Sequence, residues 1–267
     1  MRGPIAVVTT PNDLDGLAAL LAAAGFLAAE AEAGELLARA AGDGELLESL
    51  VGRRLTGEPL AWITGSVAFC GLEIGVDPGV YVPRRQSETL ARRAVERLPA
   101  SGTAIDLCTG SGAIAKVLSI GHPGARVVAS ELDERAVARA AANGVEVFHG
   151  DLFAPLPSTL AGLVDVVVGV VPYVPTSELP LLQRDTFAFE SRRSYDGGRD
   201  GTEILRRVLT ESPRFLHHGG ALLLEVGGAQ HEALAGDLAR RGFVDVTVLV
   251  DGDGDVRGIE ATLGRRS

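Results

Sequence analysis

Residues 105–112 read Ile105-Asp106-Leu107-Cys108-Thr109-Gly110-Ser111-Gly112. The apolar run Ala104–Cys108 reads as a strand, the glycines as a tight turn, and Ala113–Ile120 as a helix. Glycines let the backbone turn sharply and approach a ligand closely. The helix N-terminus behind them offers free N–H groups. Asp106 stands four residues before Gly110, placed to take an ammonium or to orient the loop. The next strand, Arg126–Glu131, ends 19 residues after Gly112. A carboxylate there accepts both ribose hydroxyls of an adenine nucleoside. Asp151, in His149-Gly150-Asp151-Leu152-Phe153, ends a third strand and reaches an adenine amino group. Gly110-Ser111-Gly112-Ala113-Ile114-Ala115 also fits the GxGxxA of dinucleotide enzymes, so the loop alone leaves NAD, another adenosine ligand and a ligand-free turn open.

Outward from this loop the alternation continues. Helix 87–98 precedes the first strand, and helix 133–143 precedes strand 145–148. A very apolar strand, Val164–Val171, follows, then helix 201–216, strand 221–226 and helix 229–241. Val244–Val250 and Val256–Leu263 are joined by Asp251-Gly252-Asp253-Gly254, which suits a hairpin turn. The pattern predicts an α/β fold with a mainly parallel, doubly wound sheet that ends in an antiparallel hairpin. That ending, with Asp106, favours an adenosine ligand other than NAD. Residues 12–58 are Ala/Leu/Glu-rich; Leu14, Leu17, Leu20 and Leu21 share one helical face, and Asn12 or Asp13 is placed to cap it. The expected division is a helical bundle over 1–65, a hairpin linker over 66–87 and the α/β domain over 88–267.

Charge and composition narrow the partners. A net charge of −10 argues against direct nucleic-acid binding. Cys70 and Cys108 are too few for a zinc site, no metal is expected, and free thiols suit a reduced, cytoplasmic setting. The apolar run 17–29 is too short to cross a bilayer, so no membrane partner is expected.

On the reaction side, the fourth strand runs into Val170-Val171-Pro172-Tyr173-Val174-Pro175. Two prolines and a tyrosine beyond a buried strand make a stiff wall at the edge where α/β sheets bind ligands. Glu190 is a candidate general base, with a solvent-facing acid as the alternative. His217 and His218 stand at the end of helix 201–216, a favourable place in the helix dipole.

These residues together resemble the HemK/PrmC family of protein-(glutamine-N5) methyltransferases. Gly57-Glu58-Pro59-Leu60-Ala61-Trp62-Ile63-Thr64-Gly65 resembles its linker, Phe69-Cys70-Gly71-Leu72 its hairpin and Val82-Pro83-Arg84 its Ile-Pro-Arg. Asp106–Gly112 resembles its cofactor loop, Gly150-Asp151-Leu152-Phe153 its adenine-side motif, and Leu224-Glu225-Val226-Gly227 with Gln230 a late strand motif. The resemblance implies a class I methyltransferase, a Rossmann-like seven-stranded sheet carrying a small helical N-terminal domain. It implies S-adenosyl-L-methionine (SAM) as cofactor, held by Asp106, Cys108, Thr109, Gly110, Gly112, Ile114, Glu131, Leu132, Asp151 and Leu152. The family's acceptor is the glutamine of the Gly-Gly-Gln loop in release factors.

The acceptor side departs from the family. Its Asn-Pro-Pro-Tyr reads Val170-Val171-Pro172-Tyr173 here, and its Pro-Arg-Pro-Glu-Thr reads Pro83-Arg84-Arg85-Gln86-Ser87. The chain is similar to a diverged subgroup with altered substrate loops. In the family the asparagine pairs with the glutamine amide, and valine has no hydrogen bond to offer. Val170, Val171, Pro172, Tyr173 and Glu190 are therefore the expected acceptor-side residues. Val170 and Val171 are expected to form an apolar wall suited to an apolar or aromatic acceptor, with Tyr173 stacking on it or offering its hydroxyl. The acceptor is then a protein or a small molecule, or a release factor if the family's function is retained. A small-molecule methyltransferase of secondary metabolism, a SAM-using cyclase and a non-catalytic SAM-binding paralogue stay open. Cys108 replaces a loop glycine and is expected to keep a strand-end conformation.

Overall fold

The computed structural model describes residues 10–182 and 189–265. They fall into two units, residues 10–65 with Phe189, and the rest from Ser66 onward. In the first unit, helices Leu14–Ala23, Ala29–Ala40, Gly44–Leu55 and Leu60–Thr64 bury Leu17, Leu21, Leu36, Leu50 and Val51. Asp13 caps the first helix, its Oδ1 accepting from Gly16 N–H at 2.9 Å, and Asp43 caps the third. Leu14, on the same face as Leu17 and Leu21, is the first residue of its helix and is exposed.

The second unit opens with an antiparallel hairpin, β1 (Ser66–Phe69) and β2 (Leu72–Gly75). Seven strands then form one sheet: β3 (Thr103–Leu107), β4 (Arg126–Glu131), β5 (Glu146–His149), β6 (Val164–Gly169), β7 (Leu216–Leu224), β8 (Phe243–Val250) and β9 (Val256–Leu263). Their order is β5-β4-β3-β6-β7-β9-β8, and only the pairings of β9 are antiparallel. The α/β reading with its terminal hairpin is what the strands form. β6 is covered on both faces, as a near-continuous valine run requires. The strand order reverses beside β3, which opens a crevice at the carboxyl ends of β3, β4 and β6.

One stretch corrects the sequence reading. The helix after the reaction-side loop covers Glu203–Glu211, and His217 and His218 lie in β7, not at a helix end. Leu216 pairs with Val164 and Ala221 with Val166, so β7 takes five steps against two along β6. The extra residues bulge at Gly219, whose φ is +92°. His217 Nε2 lies 3.1 Å from Asp165 Oδ1, far from any dipole role.

Candidate active site

The glycine loop is held by a buried carboxylate. Asp106 Oδ2 accepts from Thr109 Oγ1 at 2.5 Å and from Ala115 N–H at 3.0 Å, which ties the end of β3 to the first turn of helix Ala113–Gly121. Of its two expected roles, orienting the loop is the one seen. Cys108 corrects the expectation of a strand-end conformation: its φ is +53°. The left-handed region costs a non-glycine residue about 1–2 kcal/mol. The loop bears this because Thr109 N–H bonds to Ser130 O on β4, which fixes the turn from its other side. Gly110 and Gly112 continue at φ +58° and +84°.

Glu131 closes the turn. Its carboxylate accepts from the N–H groups of Gly110 (2.9 Å), Leu132 (2.7 Å) and Asp133 (2.9 Å) while lining the cleft. Asp151 lies outside the cleft wall and pairs with Arg207 at 2.6 Å; its charge is felt at Cys108. Leu152 turns into the core at φ +47°. The cleft is walled by Asp106, Cys108–Ser111, Ala113, Ile114 and Glu131–Asp133 at one end. Phe69, Tyr81, Pro83, Arg84, Ser87, Val170, Pro172, Ser191, Arg193 and Ser194 complete it.

The expected acceptor-side residues separate. Val170 and Pro172 line the cleft, whereas Val171 is 1% exposed and packs in the core. Strand-like alternation past the end of β6 turns neighbouring valines to opposite sides, so only one of them belongs to the wall. Tyr173 lies outside the cleft wall, and its hydroxyl donates to Glu225 Oε1 at 2.8 Å. Gln86 Nε2 donates to the same tyrosine oxygen and to the same carboxylate oxygen, each at 3.1 Å. Desolvation, with Glu225 beside it, pushes the Tyr173 phenol up. Glu190 is neither in the cleft wall nor facing solvent. It is 4% exposed, accepts from Val82 N–H at 2.8 Å, and is bound by the Arg84 guanidinium and the Tyr195 hydroxyl. It braces the wall from behind.

Two cleft residues lie inside quoted motifs without being candidates for the site. Ser87 Oγ and Ser111 Oγ are both buried without a hydrogen-bond partner. Ser87 carries one faint mark in sequence, as the first residue of the expected helix 87–98 and the last of the Pro83–Ser87 motif.

Burial raises the Asp106 carboxyl to about 7, with the Glu131 charge adding to the rise and the bonds from Thr109 and Ala115 opposing it. The folded chain thus holds this proton more tightly than the unfolded chain. The group's contribution to stability is present at low pH and is lost as pH rises from about 4 to about 7. Between about pH 5.5 and 7, the ligand-free wild type is expected to lose about 1–2 kcal/mol more stability than Asp106→Asn. Urea unfolding of both proteins across that range checks this; parallel curves would show Asp106 to be ionised in the fold.

No family model matches the chain. The release factor glutamine methyltransferase of Geobacter sulfurreducens is 36% identical over 221 residues, covering 80% of this chain and 77% of that one. The release factor glutamine methyltransferase of Mycolicibacterium smegmatis is 36% identical over 227 residues, 82% of this chain and 80% of that one. Among solved structures, the ribosomal protein L11 methylase of Lactobacillus delbrueckii subsp. bulgaricus aligns with a TM-score of 0.51 at 20% identity. It covers 73% of this chain and 86% of that one, a likeness of fold alone.

Proposed function

The chain belongs to the family of release factor glutamine methyltransferases, and on that premise we propose that it methylates an acceptor other than a glutamine carboxamide. It is a SAM-dependent methyltransferase. The cleft suits that cofactor: Gly110 turns at φ +58° with open space where a side chain would stand, Ser111 holds an unspent hydroxyl, and Glu131 presents a carboxylate. In the proposed arrangement Glu131 takes the ribose hydroxyls, Asp151 turns from Arg207 to meet the adenine amino group, and Asp106 keeps Thr109–Gly112 in place. SAM supplies an electrophilic methyl carbon on a sulfonium. The protein's part is to hold an acceptor in line with it and exclude water, which contributes through proximity and orientation.

The observation that carries the acceptor proposal is Val170. It stands in the cleft wall beside Pro172, and among the described residues that wall holds no side-chain carboxamide. Gln86, next in sequence to the wall residue Ser87, is turned away to Tyr173 and Glu225. A glutamine amide entering here finds no carboxamide to pair with both its N–H and its C=O, a loss of about 1–3 kcal/mol. Incubated with labelled SAM and a release factor carrying the Gly-Gly-Gln loop, the wild type is expected to leave the glutamine unlabelled. Val170→Asn/Val171→Pro is expected to label it at least about tenfold faster. Labelling by the wild type would overturn the proposal. The division into domains over 1–65, 66–87 and 88–267, and a cytoplasmic setting, belong to the same proposal. Among the described residues no helix is long and apolar enough to cross a membrane.

A further inference from the structure

Ser87 stands where helix Glu88–Arg97 begins, the place at which a serine ordinarily spends its hydroxyl on a free N–H of the first turn. Here it does not. Its backbone is already helical, at φ −73° and ψ −10°, and its side chain makes no capping bond. Its own N–H is taken by Arg84 O at 3.0 Å, in the short turn Arg85–Ser87 that leads into the helix. The hydroxyl is left in the cleft wall, on a residue 4% exposed, without a partner. Native structures pair their buried polar groups, so an orphan on a residue of a cleft wall points to a ligand.

Apart from Ser191, Arg193 and Ser194, which are exposed or half-buried, its neighbours in the cleft are spoken for or apolar. Arg84 is held by Glu190 and Tyr195, and Asp106 by its loop. Phe69, Tyr81, Pro83, Val170 and Pro172 offer rings and aliphatic carbon. Ser111, the other orphan, belongs to the glycine loop at the cofactor end.

We infer that the Ser87 hydroxyl orients the methyl acceptor, and that this acceptor is an apolar or aromatic body bearing one hydroxyl or amine nucleophile. The inference rests on the reading of the cleft as a SAM site. The acceptor's oxygen or nitrogen lone pair forms the new bond to the methyl carbon. The carbon–sulfur bond breaks, its electron pair passes to sulfur and neutralises the sulfonium, and the acceptor's proton leaves to water. A serine hydroxyl both donates and accepts, so it takes the acceptor's O–H or N–H and leaves the lone pair aimed at the methyl group. One hydroxyl suffices for such a nucleophile, whereas a primary carboxamide presents two donors and an acceptor.

The test uses the full chain saturated with S-adenosylhomocysteine and three probes of one shape, para-cresol, para-toluidine and para-xylene. Dissociation constants are measured for wild type, Ser87→Ala and Ser87→Thr. The advantage of cresol or toluidine over xylene is expected to fall about tenfold in Ser87→Ala and to return in Ser87→Thr. Ligand-free Ser87→Ala is expected to melt no lower than wild type, because no capping bond is lost. An unchanged probe preference, no binding of any probe at millimolar concentration, or a melting point several degrees lower would each overturn the inference. Failure of S-adenosylhomocysteine itself to bind would instead remove the cofactor reading, and this inference with it.

Discussion

With Glu131 replaced by alanine, S-adenosylhomocysteine is expected to bind at least about 100-fold more weakly. Two losses add. Hydrogen bonds to a charged group contribute about 1.5–3 kcal/mol each, and a ribose presents two hydroxyls to this carboxylate. The same carboxylate also gathers the N–H groups of Gly110, Leu132 and Asp133, so its removal frees the turn that faces the cofactor. Glu131→Gln keeps one acceptor oxygen and the side-chain length, and is expected to lose only about tenfold. Calorimetric titration of the three proteins separates the cases. Binding by the alanine variant within threefold of wild type would mean that the ribose is held elsewhere.

Gly112→Val is expected to cost about 3 kcal/mol and to lower the melting temperature by roughly 6–12 °C. Gly112 has φ +84°, and a Cβ there would lie 2.8 Å from Val145 Cγ2 and 3.2 Å from Ala140 Cβ. Neither neighbour can yield: Ala140 is fully buried on its helix and Val145 fills the gap before β5. Backbone strain and crowding therefore act together. Gly110→Ala is the contrast. Its φ is also positive, at +58°, but nothing lies within 4 Å of the new atom, so only strain of about 1 kcal/mol remains. Thermal unfolding of both variants checks the difference. A Gly112→Val protein that melts within about 2 °C of wild type would show that the helix shifts to make room.

The sheet was legible because its signals are local. Valine-rich strands, helical spacing between them and a Gly/Asp turn at 251–254 each declare themselves within a few residues. β7 was misread for a non-local reason. Leu216-His217-His218-Gly219-Gly220 has no alternation, and it belongs to a strand because Val164 pairs with Leu216 across a bulge. The placement of Asp106 and Glu131 in the cleft was readable for the same local reason, since strand ends and glycines fix where they stand; that of Asp151, outside the cleft wall and paired with Arg207, was not. The acceptor end was not. Val170 and Val171 continue the alternation of β6, but nothing in the sequence says which of the two meets the cleft, and Tyr173 follows in an irregular loop. Glu190 finds Arg84 and Val82, more than a hundred residues away in sequence. Ser87 and Ser111 matter through bonds they do not make, which no motif records.

Cys108 has a consequence for the chemistry this cleft carries. An alkylating sulfonium is brought to a wall that contains sulfur, and a thiolate is among the softest nucleophiles a protein owns. Desolvation, seconded by the charges of Glu131, Asp106 and Asp151, pushes the Cys108 thiol well above the usual thiol range. Only the thiolate is the effective nucleophile. In the ligand-free protein the carboxylates that shape the glycine loop thus also keep this thiol protonated, the state in which it is the poorest nucleophile towards a methyl donor.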